Sequence, residues 1–311
     1  MKAEYRKGCL QRDGVERKEY AGAQSVEARE GRERDGARTL LDEILDRDNL
    51  NQAYKKVKSN KGAPGIDGMT VDAALPWLME NGKELKRSIR EGEYKPNPVR
   101  RVMIPKPDGS GERKLGIPTV IDRVIQQAIA QKLQPIFEPL FADESYGYRP
   151  GKSCQQAMKK VKEYTDQGYV EVAEIDLSKY FDTINHELLI NLLREHIQDP
   201  EVIKLIKKYL KSGVMENGMV VKTEEGSPQG GNLSPLLANI YLNQYDQEMK
   251  RRGVAFVRYA DDIVVLAKSK RAAERLLESS RKYLEDKLKL KVNQDKSRAI
   301  SIYSLKFKFL G

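Results

Sequence analysis

The stretch Arg258-Tyr-Ala-Asp-Asp-Ile-Val-Val-Leu-Ala267, RYADDIVVLA, sets two adjacent carboxylates, Asp261 and Asp262, inside an otherwise apolar run. The pattern predicts strand, tight turn, strand over about 254–259 and 262–267, with the acids at the bend. Adjacent strand residues point to opposite faces, so a given neighbour normally shares a face with only one of them. A second acid ends an apolar strand at Asp176, after VEVAEI. If the two strands are neighbours in one sheet, Asp176 and Asp261 face each other. Carboxylates gathered at one spot repel and raise each other's pKa, a cost that a divalent cation removes. An all-oxygen set without His or Cys suits Mg²⁺ or Mn²⁺ better than zinc. Metals held this way invite phosphoryl transfer, two ions clamping the attacking and leaving oxygens. Read alone, an Asp-Asp pair is ordinarily a turn, and Asp176 is equally a capping residue.

Working outward, residues 1–36 are highly charged, of mixed sign and poor in apolar residues, which predicts a mobile leader. From Thr39, Leu and Val recur at helical spacing. The loop KGAPGIDG (61–68) interrupts them, and a short helix is expected over 72–90. VRRVMIPKPDGSGERKLGIP (99–118) reads as a hairpin, 119–136 as a helix, and 137–153 as an irregular aromatic and basic segment before another helix. A strand at 169–176 is followed by a helix starting near Asp182 or Thr183, then a helix over 201–212. A Gly-rich loop near 227–231 precedes a long helix, and a further helix at 270–288 precedes short strands at 298–303 and 306–310. Strands joined mostly by hairpins make this α+β, not alternating βαβ.

The 311 residues carry a net charge of +10, which favours a polyanionic partner, nucleic acid before membrane. Cys9 and Cys154 stand far apart without a CxxC, which argues against a disulfide framework or zinc site. With no long apolar run and no signal-peptide core, a soluble cytoplasmic protein is expected. Nothing in the sequence decides between a monomer and a homodimer.

The ordered blocks NKGAPGIDG (60–68), RKLGIPTVIDRVIQQAI (113–129), SYGYRPGKS (145–153), EIDLSKYFDTINH (174–186), SPQGGNLSPLLANIYL (227–242), YADD (259–262), LKVNQDKSRAI (290–300) and FKFLG (307–311) resemble the reverse transcriptase part of bacterial group II intron-encoded proteins, or maturases. The resemblance spans about 39–311 and implies a right-hand polymerase: fingers over 37–168 and palm over 169–311, with a helical insertion near 185–225 and no thumb. It implies RNA-directed DNA polymerase activity, with two Mg²⁺ (Mn²⁺ as substitute), dNTPs, a DNA primer and an RNA template. Intron RNA binding and maturase assistance would belong to the full-length parent.

By the same resemblance, Asp176 and Asp261 bind metal, Asp262 supports them, and the carbonyl of Leu177 completes a metal shell. Lys106 and Arg113 grip the triphosphate, joined by Lys296. Phe181 lies under the sugar, and Gln229 and Gly230 line the nucleotide pocket. Tyr146, Tyr148 and Arg149 contact template, while Phe309, Leu310 and Gly311 begin the primer grip. Retron, diversity-generating and CRISPR-associated reverse transcriptases are alternatives, as is a non-enzymatic splicing cofactor.

Overall fold

The computed structural model describes residues 38–105, 111–216, 218–227 and 230–310. The expected leader, Lys106, Gln229 and Gly311 lie outside the described residues. The chain first forms helices α1 (Leu40–Ile44) and α2 (Arg47–Ser59), started by Thr39 and Asp46 side chains that accept from backbone N–H groups two or three residues on. Helix α3 (Ala74–Arg90) follows the Gly/Pro loop, then the hairpin of β1 (Val99–Pro105) and β2 (Glu112–Ile117). Helix α4 (Val120–Phe137) is capped by Thr119, and α5 (Cys154–Asp166) by a Ser153/Gln156 capping box.

Next come β3 (Glu171–Ile175), the single turn α6 (Tyr180–Thr183), α7 (His186–Arg194), α8 (Pro200–Leu210) and the short strands β4 (Val214–Glu216) and β5 (Met219–Val221). The chain continues through α9 (Ser234–Arg251), β6 (Ala255–Tyr259), β7 (Asp262–Ala267), α10 (Lys270–Asp286) and β8 (Arg298–Ser301).

Two four-stranded sheets result, ordered β2-β1-β4-β5 and β6-β7-β3-β8. The second is antiparallel throughout. Its strand β7 is buried on both faces, which explains the unbroken apolar run IVVLA. Ile263 and Val265 join the main core with Ala173, Ile175 and Phe256, among helices α4, α7, α8 and α9. Val264 and Leu266 join a second core with Val257, Ala157 and Val161 of α5, and Phe309.

Four expectations need correction. The helix expected from Asp182 is two, because Asn185 breaks it and caps α7 by accepting from Leu188 N at 2.9 Å. The insertion near 185–225 is not only helical: β4 leaves it to pair with β1, and β5 pairs with β4, so it helps build the first sheet. The sequence reads a strand from about 220, which β5 meets, while the three residues of β4 give alternation too little sequence to show in. The first helical stretch is likewise two helices, divided where Asp46 caps α2. Residues 306–310 form no strand. Instead Glu174 of β3 holds this segment, accepting from Lys308 N at 3.1 Å, while Arg298 bridges Glu174 and the Lys306 carbonyl.

Candidate active site

The β6–β7 hairpin closes at Tyr259↔Asp262, so Ala260 and Asp261 form a two-residue turn. Ala260 has φ of 57° and Asp261 is not in the left-handed region, the pattern of a type II′ turn. That first central position normally takes glycine, so alanine there is strained and must be held. Arg258 holds it. Its guanidinium is fully buried, donates to the Ala260 carbonyl at 2.8 Å and to Asn239 Oδ1 at 2.9 Å, and pairs with Asp246 at 2.6 Å. Asn239 in turn donates to the Gly147 carbonyl at 2.8 Å. Gly147 lies against the turn so closely that an added Cβ would collide with Ala260 N and stand 2.9 Å from its Cα. Helix α9, the 145–148 segment and the acid-bearing turn are thus clamped together.

The sheet then delivers the acids. Register places Ile175 opposite Ile263, so one residue further Asp176 comes opposite Asp262. Asp261 stands on the turn beside it, and both acids feel the charge of Asp176. Asp176 is fixed at its main chain, its N–H donating to Ser297 Oγ at 3.0 Å and its carbonyl accepting from Asn293 N at 2.8 Å. Burial and then the charge of Asp176 push the Asp261 carboxyl up, against its own backbone N–H, Arg113 and Arg258. Asp262 stands at the exposed rim, yet surrounding protein thins its water, and Asp261 and Asp176 add repulsion. Its pKa is pushed up to about 6.

Among the described residues, no three His, Cys, Asp or Glu side chains stand ready to close on one metal ion. Like charges without a counter-ion have reason to keep apart. The donor set still fits Mg²⁺, which favours one or two carboxylates plus substrate oxygens over an all-protein cage. Burial first, and then the neighbouring negative charge, raises Asp261 and Asp262, and a bound cation would offset both.

The opposing charge comes from the finger hairpin. Arg113, paired with Ile104, is exposed and its field lowers the pKa of both Asp261 and Asp262. Beside this lies a cavity of about 370 Å³ lined by Asn60, Tyr148, Phe181, Gly230, Gly231, Asn232, Ser234 and Pro235. Phe181 is nearly buried, its ring edge-on to Tyr148 with centroids 6.5 Å apart. The Gly-rich loop is tied beneath it: Ser227 N donates to the Phe181 carbonyl at 2.6 Å, and His186 Nε2–H donates to the Gly226 carbonyl. Gly230, at φ 128°, passes so near β2 that a Cβ would stand 2.7 Å from the Gly116 carbonyl.

Other expected contacts fall elsewhere. Tyr148 is half-exposed on the cavity wall, and burial, then the charge of Asp261, pushes its phenol up. Its setting is the wall of that cavity. Tyr146 is buried in the second core, with Lys152 over its ring. Arg149 is also buried, and its donors go to Glu138 and to the carbonyls of Ala142 and Ser145. Arg149 is held by these internal partners, and Tyr146 by the core around it. Phe309 packs in that same core rather than facing a primer, and Leu310 follows it with φ of 63°. Lys296 is exposed on the 293–297 turn that holds Asp176, and Leu177 is buried next to Asp176.

Sequence reading missed Arg258, Asp246, Asn239 and Gly147 as supports. A signal was present: Asn239 and Asp246 lie seven residues apart on one helix, and Arg258 interrupts an apolar strand.

This architecture, an antiparallel sheet bearing a two-acid hairpin near a second, basic hairpin, is that of the right-hand polymerase fold. A solved telomerase from Candida albicans, in complex with a fragment of telomeric RNA, shares the fold: its TM-score is 0.53 at 13% identity, covering 77% of this chain and 47% of that one. Residues 104–311 match the family described as "Reverse transcriptase (RNA-dependent DNA polymerase)". The chain is 37% identical to Protein YkfC of Escherichia coli K12, covering 80% of this chain and 76% of that protein. It is 38% identical to the group II intron-encoded protein LtrA of Lactococcus lactis subsp. cremoris, covering 83% of this chain but only 42% of LtrA. The chain belongs to the reverse transcriptase family, on its group II intron-encoded, maturase branch.

Proposed function

We propose that this chain adds dNTPs to the 3′ end of a DNA primer on an RNA template, and that its full-length parent also binds and helps splice intron RNA. The observation that carries this reading is the meeting of Asp176, Asp261 and Asp262 with Arg113 beside the Phe181–Gly230 cavity. Asp176, Asp261 and Asp262, with the Leu177 carbonyl, would hold two Mg²⁺ ions, or Mn²⁺ in their place. When bound, such ions supply charge neutralisation and activation of the primer hydroxyl for in-line attack on the α-phosphate.

The chain's own groups do the rest. Arg113, with Lys106 and Lys296, neutralises the β and γ phosphates, where a forked guanidinium forms charge-assisted hydrogen bonds. Phe181 sets its ring against the sugar and offers a 2′-hydroxyl no hydrogen-bond partner. Gly230 and Gln229 bring backbone and amide up to the nucleotide. Residues 37–168 act as fingers and 169–311 as palm, the β4–β5 hairpin reaching back into the finger sheet. Among the described residues no helix is long and apolar enough to cross a membrane. We place the protein in the cytoplasm.

The test is primer extension on an RNA template in Mg²⁺. Asp261→Asn lowers incorporation by about a thousandfold or more, roughly 4 kcal/mol in the barrier, while RNA affinity stays within about twofold. Near-wild-type extension by this variant sinks the assignment.

A further inference from the structure

A row of amide side chains runs from helix α2 to the wall of the cavity beside the acids. An amide ends in a donor nitrogen and an acceptor oxygen, so its orientation follows from what each atom faces. Asn49 of α2, which is buried, starts the row. Its Nδ2 donates to the carbonyls of Ile44 at 2.8 Å and Ala128 at 3.1 Å, groups that can only accept. Asn49 Oδ1 is therefore left to accept. Gln131 Nε2 of α4 donates to it at 2.8 Å, and to the Asn49 carbonyl at 3.1 Å. Gln131 Oε1 in turn accepts from Gln127 Nε2, one turn earlier on α4, at 3.3 Å. Gln127 Oε1 accepts from Asn232 Nδ2 at 3.1 Å. Reversing any one amide would set oxygen against oxygen at a neighbour, so the four orient together.

The row ends on Asn232, with its nitrogen turned to α4 and its oxygen left over. Asn232 Oδ1 accepts no hydrogen bond among the described residues and is not buried. The residue lines the cavity of about 370 Å³ that Phe181 and Tyr148 also line, whereas Gln127, Gln131 and Asn49 do not reach it. The fold thus turns an oriented acceptor, not a donor, toward the place where a nucleotide sugar would meet the Phe181 ring.

An acceptor selects for a donor. A phosphodiester has none, and the donors of a paired base are engaged with its partner. A sugar has only its hydroxyls. We propose that Asn232 Oδ1 takes a hydrogen bond from a sugar hydroxyl in this cavity, and that Asn49, Gln131 and Gln127 are positioning residues that keep the oxygen facing it. The inference rests on the RNA-copying reading above. Two hydroxyls have this chemistry: the 3′-hydroxyl of an incoming dNTP and the 2′-hydroxyl of a template ribonucleotide, whose 3′ oxygen is esterified. Phe181 and Asn232 then act as complements, the ring offering a hydroxyl no partner and the amide offering one.

The test is single-nucleotide addition, read as two ratios of kcat/KM in which any general loss of folding or chemistry cancels. One ratio compares dATP with ddATP on an RNA template. The other compares dATP addition on RNA and DNA templates of the same sequence. Asn232→Ala should lower one ratio by about twofold to tenfold, the worth of one neutral hydrogen bond. A fall in the first ratio identifies the incoming sugar as the donor, and a fall in the second the template ribose. Gln127→Met should reproduce part of that fall from outside the cavity wall. Gln127→Glu still accepts from Asn232 Nδ2 and should keep the wild-type ratio. Both ratios unchanged in Asn232→Ala, with all rates lowered alike, would make the amide structural only and overturn the proposal. Equal behaviour of Gln127→Met and Gln127→Glu would overturn the positioning row. A wild-type chain that extends no primer would instead sink the copying reading, and this inference with it.

Discussion

Two hairpins bring charge to the candidate active site, and they are built in opposite ways. The β6–β7 hairpin is buried on both faces, and its strained turn is braced by Arg258, Asn239 and Gly147. The β1–β2 hairpin becomes exposed toward its tip, where Arg113 sits. Carboxylates held near one another would separate if free, so a rigid frame must oppose them. A cation that meets a phosphate needs no such frame, because attraction positions it. The difference teaches which charges the fold must force together and which the substrate gathers.

The sharpest way to break this contrast is to remove the brace. Arg258→Met leaves Asp246 as a buried, unpaired charge and should cost about 3–5 kcal/mol of stability. Chemical denaturation would show it, and Arg258→Met/Asp246→Leu should recover much of the loss. If the single variant unfolds at the wild-type midpoint, the turn is not held as described. Arg113→Gln is the counterpart on the exposed hairpin. It should leave unfolding unchanged but raise KM for dNTPs by about tenfold to a hundredfold, matching a lost charge-assisted hydrogen bond of roughly 1.5–3 kcal/mol. Equal KM values would remove Arg113 from the triphosphate path.

Between the two hairpins lies Phe181. Because its ring is also core, Phe181→Ala would confuse folding with selectivity. Phe181→Val retains more packing, and should lower the dATP-to-ATP ratio of kcat/KM by about tenfold, near 1.4 kcal/mol. An unchanged ratio in a well-folded variant would place the ring outside sugar selection.

The smallest effect concerns Asp262. Its pKa of about 6 lies above the ordinary 3.8, so the folded state holds the proton more tightly than the unfolded chain does. The penalty is therefore complete above pH 6 and fades as pH falls toward 4. In chelator at pH 8, Asp262→Asn should be more stable than wild type by on the order of 1 kcal/mol, after allowance for its exposure to solvent. The gap should close in acid and narrow on adding Mg²⁺. A gap that widens in acid would contradict the repulsion.

The acids were legible in the sequence because a charge inside an apolar strand is costly, and Asp176, Asp261 and Asp262 all interrupt or end such strands. Long helices such as α4 and α9 were legible from periodicity. The break at Asn185 was not, since the apolar spacing continues across it and only the cap divides it. Tyr146 and Arg149 read as template contacts because aromatic and basic residues look alike whether they face RNA or an internal partner. In the structure Glu138 and two carbonyls hold Arg149, and none is its immediate neighbour in sequence. The Arg258 brace joins three separate segments, so a local window could show its charged residue in the strand but not the partners that hold it.

The parallel pairing of β1 with β4 also bears on the order of assembly. Val99 meets Val214, 115 positions later (214 − 99), so β1 must wait for its second neighbour. At roughly 5–20 residues per second of synthesis, that wait lasts on the order of 6–23 s. During it, one edge of the emerging β1–β2 hairpin offers unpaired N–H and C=O groups to any other strand. On a ribosome, this edge would be a place where the nascent chain is open to mispairing, and where a chaperone would have something to shield.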